Sequence, residues 1–236
     1  MLLKRTSTYV LGGLAAFLTA CAVPKSFVAE LQPRSVKAID TEETFSRGDE
    51  ILLAYSLTAF DAQNKPTAVV SGGWGVASIR QGQQIKLQPV AKTVGEKPAA
   101  PVSLTMPRNG RIMASVVLIE VDDLSEAQDM LTKIRKVHNV VSTPAAILIT
   151  ATEILTPLKY VAAGLTAAGI GMQLADHLDN DDLLGQSNVE IKEADLKKDS
   201  AKRFIHVPAR FKGENMRDSY DYELEYDVLL KTVKVR

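Results

Sequence analysis

The sequence predicts a mainly β domain, an antiparallel β-sandwich interrupted by a helical insertion of two to three helices at about residues 124–177. Two observations predict this fold class. Strand-like segments separated by turn residues occupy residues 50–121, and further strand-like segments return from residue 188 to the C-terminus. Between the two groups, the period of the apolar residues changes from that of strands to that of helices. This order favours a sandwich with an insertion over an alternating α/β sheet.

Length and composition are those of a globular protein. The 236 residues, 46% hydrophobic and 24% charged, are enough to bury one sizeable core and exclude disorder of the whole chain. The formal net charge is +0, and it becomes −2 (26 basic and 28 acidic residues) when residues 1–20, with Lys4 and Arg5, are removed. A nucleic-acid-binding protein normally carries a basic patch, so this balance argues against a nucleic-acid partner.

Residues 1–20 have the pattern of an export signal. Lys4 and Arg5 precede the apolar stretch 9–18, and small residues follow. The apolar stretch is too short to span a membrane. We therefore expect residues 1–20 to be a signal peptide.

The next feature is the tetrapeptide Leu18-Thr19-Ala20-Cys21, which resembles the lipobox of bacterial lipoproteins. Cys21 is the only cysteine of the chain, so no internal disulfide can form. The resemblance implies cleavage before Cys21 and acylation of its thiol with chains such as palmitate, which anchor the protein at about 0.8 kcal/mol per buried methylene. The alternative is an ordinary secretory signal with a chance cysteine.

The residue after the cysteine bears on localisation. In lipoproteins of enteric-type bacteria, an aspartate at this position marks retention in the inner membrane, and here the position holds Ala22. The resemblance thus implies a lipid anchor in the bacterial cell envelope, at the outer membrane.

The segment 21–34 is predicted to be the lipidated cysteine and a tether, since it lacks a sustained period and contains Pro24 and Pro33. The folded domain is then residues 35–236, beginning near Ser35. Glu50–Phe60 mixes β-branched and aromatic residues and predicts a strand, followed by a turn at 61–66.

The next two pairs of strands are predicted as hairpins. Residues 74–79 and 85–89 form the first pair. Trp74 is expected to be a core residue, and an exposed ligand platform between flexible glycines is the alternative. After an exposed loop at 92–101, residues 102–106 and 111–121 form the second pair. The turn between the strands of this second pair contains Asn109-Gly110, a strong hairpin signal.

The helical block begins after residue 122. Apolar residues spaced on one face predict an amphipathic helix from Leu124 to His138. Residues 144–178 form a second apolar tract, which Pro157 divides into two short helices. Its small residues Gly164, Ala168 and Gly171 would allow close contact with a partner helix or a bilayer. Packing of the tract against the sandwich is the alternative. Strands are predicted again at 188–191, 204–207 and 220–235.

The most informative group of charged residues follows this tract. Four carboxylates lie within seven residues, at Asp176, Asp179, Asp181 and Asp182. Carboxylates this close repel one another unless solvent or a cation relieves them. Calcium takes six to eight oxygen ligands, which such a turn can supply in part.

The segment Asp179–Gly185 resembles the third calcium loop of C2 domains, in which spaced aspartates lead into Asp-Asp-x-hydrophobic-Gly and a strand. The resemblance implies a C2-like sandwich that binds calcium through Asp179 and Asp181, with Asp182 and Asp176 as further ligands. Other ligands would come from a distant loop, at 49–50 or 122–123. The alternative is a solvated turn that needs no ion.

Enzyme signatures are poor in this sequence. There is no Gly-x-Ser-x-Gly elbow, no His-Glu-x-x-His motif and no phosphate-binding loop. The three histidines, His138, His177 and His206, lack ligand spacing. A hydrolase with an unrecognised site is the remaining enzymatic alternative.

These observations predict a membrane-anchored, non-enzymatic binding module that uses calcium to bind a lipid surface or an envelope protein. The second hypothesis is a structural or envelope-assembly lipoprotein, whose helical insertion contacts a partner or a bilayer without calcium. No cofactor other than calcium is expected.

Overall fold

The computed structural model describes residues 25–41, 48–88, 98–121, 183–199, 203–215 and 218–234. These residues form two antiparallel sheets that enclose one hydrophobic core, which confirms the β-sandwich. The predicted helical insertion at 124–177 lies outside the described residues. The elements are β1 (Lys25–Asp40), β2 (Gly48–Phe60), β3 (Pro66–Arg80), β4 (Gln84–Lys86), β5 (Val102–Thr105), β6 (Arg111–Glu120), β7 (Leu183–Lys192), α1 (Glu193–Lys198), β8 (Phe204–Asn215) and β9 (Asp218–Lys234).

The first sheet has five strands and the second has four. In the five-stranded sheet, β9 lies between β8 and β1, and the other edge of β1 pairs with β5 and β4 in succession. In the four-stranded sheet the order is β3-β2-β6-β7. β6 and β7 are neighbours in this sheet, and residues 122–182 connect them along the chain.

The predicted tether is wrong from Lys25 onward. β1 begins there, ten residues before the expected domain start at Ser35, and pairs with β9 along its length. Pro33 suggested a tether because proline has no backbone N–H to donate to a strand. In the structure, a register shift between Pro33 and Ser35 accommodates the proline within the strand.

Both predicted hairpins are wrong, although the strands and turns are present. β3 pairs with β2, whereas β4 pairs with β1 in the other sheet, so residues 81–83 carry the chain between the sheets. Gly82 has a φ of 78° in this connection, which glycine adopts without strain. Likewise β5 pairs with β1 while β6 pairs with β2, and the turn through Asn109 joins the two sheets.

The core lies between the inner faces of the two sheets. Alternate residues of β2 from Ile51 to Ala59 face the five-stranded sheet and are at most 1% exposed. The predicted core position of Trp74 is confirmed, since it is 3% exposed. Position 72 of the same strand is a glycine, because a β-carbon there would come within 2.4 Å of the Tyr55 ring.

Buried polar groups also connect the two sheets. The Tyr222 hydroxyl donates a hydrogen bond to the carboxylate of Asp49, which is fully buried. The hydroxyls of Tyr226 and Ser187 are hydrogen-bonded at 2.9 Å. Burial raises the pKa of Tyr226 above its ordinary value, so this phenol stays neutral.

Candidate functional site

The two ends of the sandwich differ in which chain segments they carry. β1 starts at Lys25 and has 16 residues, which span roughly 50 Å at about 3.3 Å per residue. Near its start, the amide of Met106 donates to the Phe27 carbonyl at 2.8 Å, just before the turn that leads into β6. We call this end of the molecule the Lys25 end.

The opposite end is where the 122–182 segment leaves and rejoins the sheet. The Val121 amide donates to the Glu50 carbonyl at 2.8 Å, and Ile119 of β6 lies opposite Leu183 of β7. The Tyr220 hydroxyl, near the start of β9, donates to the Leu183 carbonyl at 3.5 Å. β9 starts where the antiparallel β1 ends, so this Leu183 end is opposite the Lys25 end.

An open groove of about 720 Å³ lies at the Leu183 end, with Tyr220 in its wall. Its charged lining consists of the carboxylates of Asp40, Glu214 and Asp221 and the ammonium of Lys212. The Asp40 carboxylate accepts hydrogen bonds from the neutral side chains of Ser219 and Gln81 and from the Thr41 amide, and its described partners include no basic side chain. The groove is therefore acidic on balance and suits a cation or a basic group.

Asp221 is the carboxylate of this groove that is neutralised. Arg210 donates to both of its oxygens, at 2.8 and 2.7 Å, and Lys212 lies 3.0 Å away. Arg210, and then Lys212, lower the pKa of Asp221 to about 2. Asp221 thus stays ionised and paired, and Asp40 and Glu214 carry the remaining negative charge.

Asp49 and Glu50, the two residues predicted to supply distant calcium ligands, lie on opposite faces of β2. Asp49 faces the core and bonds Tyr222, so it cannot reach an ion at the surface. Glu50 lies on the other face of β2, is half-buried, and adjoins Val121 through its backbone. Glu50 is therefore the one of the two placed to meet a ligand beside the 122–182 segment.

Sequence analysis missed a histidine–carboxylate pair on the outer face of the five-stranded sheet. His206 and Asp227 are opposite each other in β8 and β9, with Nδ1 2.9 Å from a carboxylate oxygen. Asp227 is 1% exposed and also pairs with Arg34 at 2.9 Å. The signal that would have indicated this pair is the register of the β8–β9 hairpin, which sets position 206 opposite position 227.

This pair lacks a reactive partner in the described part of the chain. Hydrolytic sites that use a histidine–carboxylate pair add a nucleophile bonded to the imidazole. Among the described residues, no hydroxyl or thiol bonds His206, whose ring stacks instead against Phe204 with centroids 6.4 Å apart. Arg34 thus pairs with the buried carboxylate of Asp227, and the Nδ1 atom of His206 is hydrogen-bonded to the same group.

The predicted site residues lie outside the described residues. Among the residues that are described, no group of three or more metal-binding side chains occurs, and no helix is long and apolar enough to cross a membrane. The predicted residues concerned are Cys21, Gly164, Ala168, Gly171, Asp176, Asp179, Asp181 and Asp182. The acidic residues belong to the segment between β6 and β7, so the described ends of these two strands show where that segment joins the sheet.

Comparisons with known proteins supply no relative for this chain. No protein-family model matches the sequence, and no curated protein shows significant similarity to it.

Proposed function

We propose that this protein is a lipid-anchored, non-enzymatic binding module of the bacterial cell envelope, held at the outer membrane through Cys21. Its Leu183 end binds a lipid surface or a protein partner, with calcium held by Asp179, Asp181 and Asp182 and assisted by Asp176. One observation carries this proposal. The strand that follows the anchor starts at one end of the sandwich, and the acidic segment rejoins the fold at the other.

The position of β1 supports anchoring at the Lys25 end. Only three residues lie between Cys21 and Lys25, so the two are at most about 14 Å apart. Two large apolar side chains are exposed near this end, Phe204 at 50% and Val233 at 40%. Lys231 lies on the same face, with its ammonium paired to Glu30 at 2.6 Å, and exposed apolar groups flanked by such polar ones suit the interface of a membrane.

The acidic character of the Leu183 end supports a cationic ligand there. Glu50 adjoins the point where the 122–182 segment leaves, and Asp40 and Glu214 line the neighbouring groove. The aspartates at 176–182 immediately precede Leu183 in sequence. Calcium would let this end approach an anionic surface or a carboxylate-bearing partner without repulsion.

The C2-like resemblance ends in two residues that also have a packing role. Leu184 is 1% exposed, and Gly185 lies under the Phe211 ring, where a β-carbon would be 2.0 Å from Cγ. The hydrophobic-Gly part of the motif therefore serves β7 whether or not an ion is bound. A test of calcium binding must address the aspartates themselves.

Thermal unfolding of residues 22–236 with and without 1 mM calcium tests the proposal. An ion bound only to the folded state with a Kd near 10 μM stabilises it by about 2.7 kcal/mol and raises Tm by roughly 5 °C or more. The D179N/D181N/D182N variant should lose this shift. As a control, D195N removes an exposed carboxylate from α1 and should keep it. A wild-type Tm that calcium leaves unchanged contradicts the calcium proposal.

The second candidate is an envelope-assembly lipoprotein whose 122–182 insertion contacts a partner without calcium. The attachment of this insertion at the end facing away from the anchor favours it equally. If calcium has no effect while deletion of residues 124–177 abolishes capture of an envelope protein by the anchored chain, this candidate replaces the first.

A further inference from the structure

The outer face of the four-stranded sheet is buried, although antiparallel sheets commonly leave one face in solvent. Side chains of β2 and β6 that point away from the core are almost fully buried, including Leu52 at 1%, Ala54 and Val117 at 0% and Ile119 at 2%. These residues are not part of the core cluster between the sheets. Something therefore covers this face.

The described elements do not provide this cover. Apart from its sheet neighbours β3 and β6, the described strands in closest contact with β2 are β5 and β1 of the facing sheet, on the core side. The short helix α1 contacts β7. The covering group lies outside the part of the chain that the structure describes.

Solvent does not cover the face either. Ser71, Ser56 and Ser115 lie opposite one another on β3, β2 and β6 and form one row across the sheet. All three side chains are 0% exposed, and within the described residues their hydroxyls have no hydrogen-bond partner. A hydroxyl facing water would be exposed and hydrated, so a dry, packed group lies over this row.

The outer face of the other sheet shows the contrast. There, alternate residues of β9 are carboxylates that pair with basic side chains of the flanking strands, as Asp221 does with Arg210 and Glu223 with Lys37. Glu223 is 41% exposed, as expected of a face in contact with water. Only the four-stranded sheet requires a covering element.

Chain length and connectivity leave one segment that fits. Residues 42–47, 89–97, 200–202 and 216–217 are too short to cover three strands. Residues 1–24 continue from β1, which belongs to the facing sheet. The remaining long segment, 122–182, starts after β6 and ends before β7, two adjacent strands of the sheet concerned.

We infer that residues 122–182 dock on the outer face of the β3-β2-β6-β7 sheet through the apolar tract 144–178. The centre of this face has small side chains, with Ser56, Ser71, Ser115 and Ala54 around it. A tract with small residues at Gly164, Ala168 and Gly171 can approach such a surface closely. The tract then belongs to the domain and is not free to enter a bilayer. This inference rests neither on the lipid anchor nor on calcium.

Single cysteines test whether the face is covered. Residues 22–236 contain no cysteine, so S56C and S71C each carry one probe on the buried row, and Q83C carries one in an exposed turn. With a water-soluble maleimide under native conditions, we expect S56C and S71C to react at least ~100-fold more slowly than Q83C. All three should react equally fast in denaturant. Equal rates for folded S56C, S71C and Q83C would overturn the inference.

Paired cysteines identify what covers the face. S56C is combined with a second cysteine at each position from 160 to 175, and the pairs are oxidised with copper phenanthroline, because a disulfide requires β-carbons about 3.5–4.5 Å apart. We expect an intramolecular disulfide at one or more positions in a helical spacing. The control pair S56C/Q63C, with Gln63 in an exposed turn, should form none.

The remaining outcomes contradict the inference in distinct ways. Intermolecular disulfides would show that a second copy covers the face. Protection of S56C that appears only with phosphatidylglycerol-containing vesicles would show that a bilayer does. Protection without any disulfide along 160–175 would assign the cover to another segment.

Discussion

Serine hydroxyl groups in this sandwich have two opposite environments. Ser187 shares a hydrogen bond with the Tyr226 phenol across the core, at 2.9 Å. Ser56 is fully buried, but within the described residues its hydroxyl bonds nothing. The same side chain therefore stabilises the fold at one site and carries a desolvation penalty at the other.

Ser→Ala variants at these two positions should change stability in different directions. We expect S187A to lower the free energy of unfolding by about 1 kcal/mol, since it leaves the Tyr226 phenol without its partner. S56A removes a group whose desolvation is uncompensated, so it should leave stability unchanged or raise it by up to about 1 kcal/mol. Urea unfolding of both variants measures the difference. A larger loss in S56A than in S187A would show that the Ser56 hydroxyl is bonded.

The pairing of Asp221 with Arg210 predicts a pH dependence. The pKa of Asp221 in the folded protein is about 2, below its ordinary value of 3.8, so the pairing stabilises the fold above pH 4 and the effect is lost as pH falls to 2. D221N should be less stable than wild type by about 1 kcal/mol at pH 7, and the two should converge near pH 2.

The matched control for Asp221 is Glu223, two residues along the same face of β9. It pairs with Lys37 at 3.4 Å, and both side chains are more than 40% exposed, so E223Q should change stability little at any pH. Urea denaturation from pH 2 to 7 measures both variants. A D221N deficit that persists unchanged at pH 2 would assign its cause to packing and not to charge.

At the scale of single elements, β7 packs against β8 of the other sheet at one glycine. A β-carbon on Gly185 would lie 2.0 Å from Cγ of Phe211, which is 7% exposed. G185A should therefore destabilise the domain by about 1–3 kcal/mol through overpacking. F211L replaces the ring with a smaller side chain that leaves room for the added β-carbon. The loss of stability caused by F211L should therefore be smaller in the G185A background than in the wild-type protein. Thermal unfolding of the three variants checks this coupling.

The strands themselves could be predicted from sequence, whereas their partners could not. The predicted strand at 50–60 and its turn match β2 and the loop in which Asp61 accepts the amides of Gln63 and Lys65. Apolar content and turn residues specify such local structure. Whether Ile85 pairs back on β3 or crosses to β1 depends on burial against a distant sheet, which the turn at 81–83 does not encode.

A second sequence signal at this scale concerns which faces of a strand are buried. The segments of β2 and β6 are nearly continuous in apolar and small residues, as EILLAYSLTAF and RIMASVVLIEV show. A strand with one solvated face alternates, and a strand buried on both faces does not. The continuous pattern indicated that the sheet is covered on both sides, whereas β9, with charges at every second position, is solvated on one face.

At the scale of the whole molecule, the candidate site was only partly predictable. The lipobox-like tetrapeptide and the acidic run are local patterns, so the sequence showed them directly. The start of β1 at one end of the sandwich and the start of β7 at the other follow from strand register, which no local pattern encodes. The pairing of His206 with Asp227 was missed for the same reason.

The proposed lipid anchor makes a prediction that concerns the whole protein in its native host. Mass spectrometry should find a mature N-terminus at residue 21 carrying acyl chains, and C21S should move the protein from the membrane fraction to the soluble periplasm. As a control, A22D keeps the thiol and should remain membrane-bound, at the inner membrane of an enteric-type host. An unmodified Cys21 in the wild-type protein contradicts the anchor.

The pairing of β1 with β9 has a consequence for how this chain matures. Leu31 lies opposite Val228, almost two hundred residues later, so this edge of β1 stays unpaired until the last strand is available, although the other edge can pair earlier with β4 and β5. Contacts between such remote parts of a chain form late and slowly. Completion of the five-stranded sheet must therefore wait for the C-terminal strand, and under the proposed export the apolar residues of β1 stay incompletely packed until that strand has crossed the membrane.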